Sequence, residues 1–448
     1  MLRRAYRVRG GPRADSFGQT TEKSRLLSCG FFRRVIHCPS PWLKPAGFGR
    51  IVRASQTSME SRRYRASLIS IQSSGVRIET IANWSSEKVI PLNPFRSLLH
   101  CAVVCAAALI TPLVCADDSP PHVVVILVDD MGYGDPGCFN PQSKIATPVI
   151  DSLARDGMKF TDAHAPGPLC HMSRYGLLTG HYPFRIEVRP WRERPLITSG
   201  RMTIASLAQS QGYRTAMVGK WHVGFQEDGY DKPLPGGPVD RGFDSYFGIR
   251  ASTDIPPYFY IRNDRVVEPP TDWIEASNSD RREWSPVQGV FWRAGGIAPN
   301  LKLQDVLPRF TDEAIAVIED HASDVSGRQQ KPLLLYLAYP APHTPWLPSE
   351  EFRGRSKAGL YGDFMMMVDA EIGRVLKALD AVDMSRDTLL IFTSDNGPIW
   401  FEADRQHFGH DSSGGLRGMK ADAWEGGHRM PFIVRWPGQV TAGTSSDQ

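Results

Sequence analysis

The sequence predicts an α/β fold built on one large, mostly parallel central sheet flanked by helices. Three observations carry that expectation. The runs "HVVVILVDD" (122–130), "PLLLYLAYPAPH" (332–343) and "DTLLIFTSDNG" (387–397) are continuously apolar, the pattern of strands buried on both faces. Segments with helical spacing and a terminal glycine, "TPVIDSLARDG" (147–157) and "TIASLAQSQG" (203–212), alternate with such runs. Each apolar run also ends in polar residues, as expected where strand C-termini open onto a ligand crevice.

Taken in chain order, 122–130 is a buried strand whose two carboxylates emerge at its end. The helix over 147–157 follows, then a helix entered at "PLCHMSRYGLLTG" (168–180). The helix over 203–212 leads into the strand "YRTAMVGKWH" (213–222). Segment 223–306 is rich in Pro, Gly, Trp and Tyr, has little periodicity, and reads as long loops over the site that face substrate. Trp273, Trp284 and Trp292 lie in it and suit either packing or stacking on sugar rings. After the strand over 332–343, "YGDFMMMVDAEIGRVLKALDAV" (361–382) has the pattern of a long amphipathic helix, its Met365–Met367 run serving the core. The strand over 387–397 and a last strand, "MPFIVRWPG" (430–438), complete the sheet.

Charge divides the chain. Residues 1–100 carry 18 Lys/Arg against 5 Asp/Glu, and residues 101–448 carry 34 against 43. The net +4 is therefore the sum of two unlike parts and gives no reason to expect a nucleic-acid partner. Residues 1–95 read as a disordered extension or as sequence upstream of the true start. Residues 96–116 read as a signal peptide: Arg96 precedes the uncharged run "LLHCAVVCAAALITPLVCA", with Val114 and Ala116 at the −3 and −1 positions. The run is close to the shortest bilayer span, so a membrane anchor is the competing reading. Val114 before Cys115 is a poor lipoprotein signal. The expected mature region, 117–448, is one catalytic domain exported to the periplasm or secreted, with no stable membrane anchor. It keeps two of the seven cysteines, Cys138 and Cys170. One disulfide between them is possible, but a scaffold of disulfides is not.

The strand ends collect Asp129, Asp130, Asp395 and Asn396. Neighbouring carboxylates repel unless a cation joins them, and an all-oxygen set selects calcium or magnesium over zinc. Solvated loop carboxylates are the alternative. Arg174, Lys220, His222, His343 and Lys420 form a cationic set suited to a tetrahedral oxyanion. Lys220 and His222 are two apart on an extended segment and are expected to face one side. Cys170 takes the nucleophile position, at a helix start whose free N–H groups favour an anion.

In the segments "ILVDDMGYGD", "LCHMSRYGLLTGHYP", "MVGKWHVG", "PHTPW", "TSDNGP" and "GGLRGMKADAWEGGHRMPFIVRWPG", the chain resembles the type I sulfatases of the alkaline-phosphatase superfamily, over about residues 121–438. The resemblance implies an arylsulfatase-like hydrolase of sulfate monoesters. Its Cys170 would be converted to Cα-formylglycine by a formylglycine-generating or sulfatase-maturing enzyme. Asp129, Asp130, Asp395 and Asn396 would hold calcium, magnesium being the lesser choice, with the modified Cys170 as a further ligand. Arg174 would steady the modified residue. Lys220, His343 and Lys420 would grip the sulfate oxygens, Lys420 or His343 would protonate the leaving alcohol, and His222 would take a proton. The partner would be a sulfated small molecule or polysaccharide. Met172 departs from the family's Cys-x-Pro-Ser-Arg signature, which, with the missing C-terminal part, supports a second reading, an inactive binder of sulfated glycans; a third is a phosphate- or phosphonate-ester hydrolase using the same pocket, which the oxyanion-binding residues do not exclude. The family's smaller C-terminal antiparallel domain has no counterpart before "TAGTSSDQ", a polar tail expected to have no fold of its own. The chain reads as C-terminally truncated.

Overall fold

A computed structural model describes residues 120–278, 284–324 and 331–448. The basic N-terminal segment and the expected signal peptide, 96–116, lie outside the described residues. The sheet has ten strands. Its centre is parallel: Thr388–Ser394 (β10), His122–Asp129 (β1), Leu333–Pro342 (β9), Arg214–Lys220 (β3) and Ser245–Ile249 (β4) lie side by side in that order. β9 is buried at all ten positions and β1 at seven of eight. Strands covered on both faces have no polar face to show, which is why their sequences do not alternate.

Both edges turn antiparallel. Phe432–Arg435 (β11) pairs β10, and Met158–Phe160 (β2) pairs β11. At the other edge the two-residue strands Ile261–Arg262 (β5) and Arg265–Val266 (β6) extend β4. Segment 223–306 is therefore not simply loop over the site. It supplies three strands of the main sheet and a separate two-stranded sheet, Asp272–Ile274 (β7) with Gly295–Ile297 (β8). The strands are too short to show a period of two, which hides them in the sequence. The polar tail also differs from expectation: Thr444–Ser446 (β12) pairs parallel with β2 at the sheet edge.

Helices Pro148–Asp156 (α1), Cys170–Thr179 (α2), Ile204–Ser210 (α3), Val306–Ser323 (α4) and Gly359–Ala381 (α5) flank the sheet. The short helices Glu402–Phe408 (α6) and Glu425–His428 (α7) lie in the last third of the chain. Thr203 caps α3 through a capping box with Ser206. Asp369 of α5 accepts from the free N–H groups of Val149 and Ile150, tying the start of α1 to the longest helix. Met365 and Met367 are buried in the core. So is Trp284, stacked on Phe408 and edge-on to Trp346, whereas Trp273 is 66% exposed. Among the described residues no helix is long and apolar enough to cross a membrane.

Gly219, beside Ala338 across the β3–β9 pairing, has φ +114, and a Cβ there would lie 1.9 Å from the Ala338 carbonyl oxygen. Gly219→Ala is expected to lower stability by about 2–5 kcal/mol, from backbone strain and overpacking together. Denaturant unfolding monitored by tryptophan fluorescence checks this; an unchanged midpoint would refute the close approach.

Candidate active site

Four adjacent parallel strands, β10, β1, β9 and β3, deliver their C-terminal ends in a row. β1 ends in Asp129 and Asp130, β3 in Lys220, β9 leads into His343, and β10 into Asp395 and Asn396. Cys170 is the first residue of α2, after an extended Leu169. Arg174 is one turn further on the same helix, so both side chains descend on the strand ends. Lys420 arrives from the loop between α6 and α7. That loop is pinned to its neighbours by backbone bonds from Ala421 N–H to Pro168 O (2.9 Å) and from Lys420 N–H to Pro398 O (2.9 Å).

The groups form one buried network. Arg174 bonds Asp395 through Nε at 2.9 Å, approaches Asp129 at 3.5 Å, and donates to the Lys220 carbonyl at 2.8 Å. Lys220 Nζ bonds Asp129. Lys420 Nζ bonds both oxygens of Asp130, at 2.6 and 2.7 Å. Asn396 Nδ2 donates to Asp130 at 2.6 Å, and His343 Nε2 stands 3.6 Å from Asp130. Cys170 Sγ lies 3.3 Å from Asp129 Oδ1 and 3.9 Å from Asp130 Oδ1. Cys138 and Cys170 are both free thiols. The structure thus brings Asp129, Asp130, Cys170, Arg174, Lys220, His343, Asp395, Asn396 and Lys420 together.

His222 reaches the site differently from expectation. β3 stops at Lys220, and His222 has φ +61, so the chain turns rather than continuing extended. Its ring packs edge-on against Trp191 at 4.3 Å and lies 5.8 Å from the His171 ring, and neither of its buried nitrogens has a hydrogen-bond partner among the described residues. Asp130 (φ +69) and Ala421 (φ +74) share this left-handed conformation, which non-glycine residues rarely adopt.

Three residues escaped the sequence reading. Asp254, in the loop after β4, is buried 3.9 Å from His343 Nδ1 and paired with Arg293. His171 and Trp191 flank His222. Asp254 and Trp191 belong to none of the quoted motifs, whereas His171 lies inside "LCHMSRYGLLTGHYP" beside Cys170 and was given no role. A supporting layer lies beneath: Asp135 accepts from His410 Nε2 (2.8 Å) and Tyr361 Oη (2.5 Å), and Tyr361 Oη also bonds the Asp130 carbonyl.

Electrostatics follow from burial and pairing. Burial raises the Asp129 pKa, but Lys220, His343 and Arg174 outweigh it and hold the group well below the carboxylate range. Burial and the neighbouring Asp129 lift Asp395 to about 6. Burial and Asp129 push the Cys170 thiol well up, so a plain thiolate is disfavoured. Burial and Lys220 push His222 well down, leaving its ring neutral.

The site could hold a metal ion: the ligating atoms of Asp129, Asp130, Cys170 and His343 lie within 4.8 Å of one another, and Asn396 Oδ1 is a buried oxygen without a hydrogen-bond partner among the described residues. A second cluster, His164, Glu425 and His428, is engaged in surface ion pairing with Arg429 and Asp162.

Residues 121–448 match the Sulfatase family. The chain is 33% identical over 356 residues to an N-acetylgalactosamine-6-O-sulfatase of Bacteroides thetaiotaomicron, covering 71% of this chain and 68% of that one. It is 34% identical over 340 residues to human arylsulfatase A, covering 73% and 61%. A solved 6S-sulfatase structure from a Bacteroides thetaiotaomicron system for metabolism of multiple glycosaminoglycans superposes with TM-score 0.64 at 32% identity, covering 73% and 74%. The chain belongs to the sulfatase family, a family of sulfuric ester hydrolases. Its match spans 61% of the length of human arylsulfatase A.

Proposed function

We propose that the protein hydrolyses sulfate monoesters, of aryl or carbohydrate alcohols, with a formylglycine made from Cys170 and a calcium ion. The observation that carries this reading is the position of Cys170: buried at the start of α2, 3.3 Å from Asp129, with its thiol pushed away from ionisation. A thiolate nucleophile would sit near a helix N-terminus and cations without adjoining carboxylates. The hydrated aldehyde would supply a hydroxyl nucleophile and, through its second hydroxyl, a way to release sulfate. Asp129, Asp130, Asp395 and Asn396 would hold the calcium ion, which would neutralise them and polarise a sulfate oxygen.

The other roles fall to the chain's own side chains. Three carboxylates (Asp129, Asp130, Asp395) are matched by three cations (Arg174, Lys220, Lys420). A divalent ion on the carboxylates would leave Lys220 and Lys420 free to hold an anionic ester together with His343. His343 Nδ1 faces the Thr344 carbonyl at 2.8 Å, which directs Nε2 into the site, where it or Lys420 can protonate the departing alcohol. His222, neutral and without a hydrogen-bond partner among the described residues, can accept a proton from the modified residue. Export through residues 96–116 belongs to the same proposal and would bring the chain to extracellular sulfated material.

The test is the mass of the peptide spanning Cys170, read beside sulfate release from an aryl sulfate. Replacement of sulfur by a carbonyl oxygen together with turnover supports the proposal, and an unmodified thiol with full turnover refutes it. Met172→Pro should raise the converted fraction and kcat together while KM stays constant, because it acts on maturation rather than on the pocket. Chelation should abolish turnover and lower Tm by roughly 5–10 °C, as expected for loss of a ligand bound well above its Kd. Calorimetry with and without added calcium checks this, and an unchanged Tm would remove the ion from the site.

A further inference from the structure

The stretch between α2 and α3 is unlike the rest of the domain. Residues 181–201, "HYPFRIEVRPWRERPLITSGR", carry five Arg against two Glu, in a region (101–448) where Asp and Glu outnumber Lys and Arg by 43 to 34. Arg189 pairs with Glu187 at 2.9 Å, and Arg201 rests on the His181 ring at 3.1 Å. Arg185 and Arg194 are exposed and form no ion pair among the described residues. Tyr182 and Phe184 stack at 5.2 Å while standing 56% and 72% exposed, with Arg185 6.0 Å from the Phe184 ring. Two large aromatics held face to face in water, with Arg185 over one of them, are not explained by core packing.

The middle and the later part of the stretch touch the site, while its first residues follow the end of α2 opposite Cys170. Trp191 packs on His222 at 4.3 Å and on His171 at 6.0 Å. Leu196 N–H bonds the Val223 carbonyl at 2.9 Å, holding the stretch beside the end of β3. Residues 191–196 therefore border the site, and residues 181–190 join them to the far end of α2.

The geometry points to residues 181–201 as a docking strip for a sulfated polysaccharide chain, which grips units adjoining the one whose sulfate enters the site. This deepens the sulfatase reading and rests on it. Aromatic faces suit the apolar faces of pyranose rings, and guanidinium forks bind sulfate oxygens in pairs. A single small aryl sulfate would reach the buried pocket without touching Arg185, Arg194, Tyr182 or Phe184. The charge is local and exposed, so its contribution is screened by salt.

The experiment compares chondroitin sulfate chains with nitrophenyl sulfate as substrates for the wild type, the Arg185→Glu/Arg194→Glu variant and the Tyr182→Ala/Phe184→Ala variant. For the polymer, KM should rise about tenfold or more in each variant with kcat little changed, and the wild-type kcat/KM should fall more steeply with salt than that of the charge variant. For nitrophenyl sulfate, kcat/KM should stay within about twofold. Equal losses on both substrates, or no loss on the polymer, would overturn the strip. Direct binding is measured separately by titrating chondroitin sulfate into Cys170→Ala protein, with and without the strip substitutions. Binding that the substitutions weaken supports the strip even if the wild type turns over neither substrate, an outcome that would sink the sulfatase reading alone. Binding unaffected by them, or matched by desulfated chondroitin or by RNA, overturns the strip. Should the charge reversal lower Tm, Arg185→Gln/Arg194→Gln carries the same comparison.

Discussion

Cys170→Ala should lower kcat for an aryl sulfate by at least ~10³-fold while the fold persists. In the proposed mechanism the residue supplies the nucleophile, and loss of a covalent nucleophile would leave only binding and electrostatic contributions. The side chain is small and buried at a helix start, so Ala fits without a large cavity. Calcium binding should survive, because Asp129, Asp130, Asp395 and Asn396 are untouched. Cys170→Ser should behave alike in a host whose maturing enzyme accepts only cysteine. Single-turnover sulfate release and calcium titration decide the matter together. Residual activity within tenfold of wild type would show that the nucleophile lies elsewhere, whereas loss of calcium binding would make Cys170 indispensable to the metal site.

Arg174→Leu should be the most destabilising single change at the site, by about 3–5 kcal/mol. Its guanidinium is fully buried between Asp395 at 2.9 Å and Asp129 at 3.5 Å, and removing it strands Asp395 and leaves Asp129 with Lys220 as its ion-pair partner at the end of the central strands. The loss should depend on pH in a defined direction. Burial and Asp129 already lift Asp395 to about 6, and Arg174 opposes that rise. Without Arg174 the folded-state pKa of Asp395 climbs further above its unfolded value. The variant then binds an extra proton on folding and gains stability as pH falls. Urea unfolding in chelator should therefore show a smaller deficit at pH 5 than at pH 8. A deficit that is flat or grows toward acid would mean that Asp395 does not take up the proton.

The parallel centre of the sheet was legible because its strands are buried on both faces and their apolar runs are unbroken. The site's oxygen and cationic groups were legible for a related reason. Parallel strands end at one edge, so the polar residues that close "VILVDD", "VGK", "APH" and "TSDN" had to meet there. The shortest strands were not legible, since two or three residues carry no period, and neither β5, β6 nor β12 contains an apolar pair to mark it. Asp254 was missed because its approach to His343 depends on how a loop of irregular backbone returns to the sheet. Trp191 was missed because its partner His222 sits after a left-handed turn that the extended reading of "VGKWH" did not allow.

That left-handed backbone recurs at Asp130, His222 and Ala421, one at the end of β1, one after β3 and one beside Lys420. Each such residue costs on the order of 1–3 kcal/mol, which the surrounding sheet must absorb. For the mutational history of the chain this sets a conflict at three positions. Glycine would relieve the backbone at any of them, so pressure for heat tolerance alone favours it. Yet glycine at 130 or 222 would delete a side chain to which the proposed mechanism gives a role, and at 421 it would slacken the segment that holds Lys420 at Asp130. Lineages drifting toward thermal robustness through these positions would lose rate as they gain stability, so adaptation to hot environments has to proceed through changes remote from the strand ends.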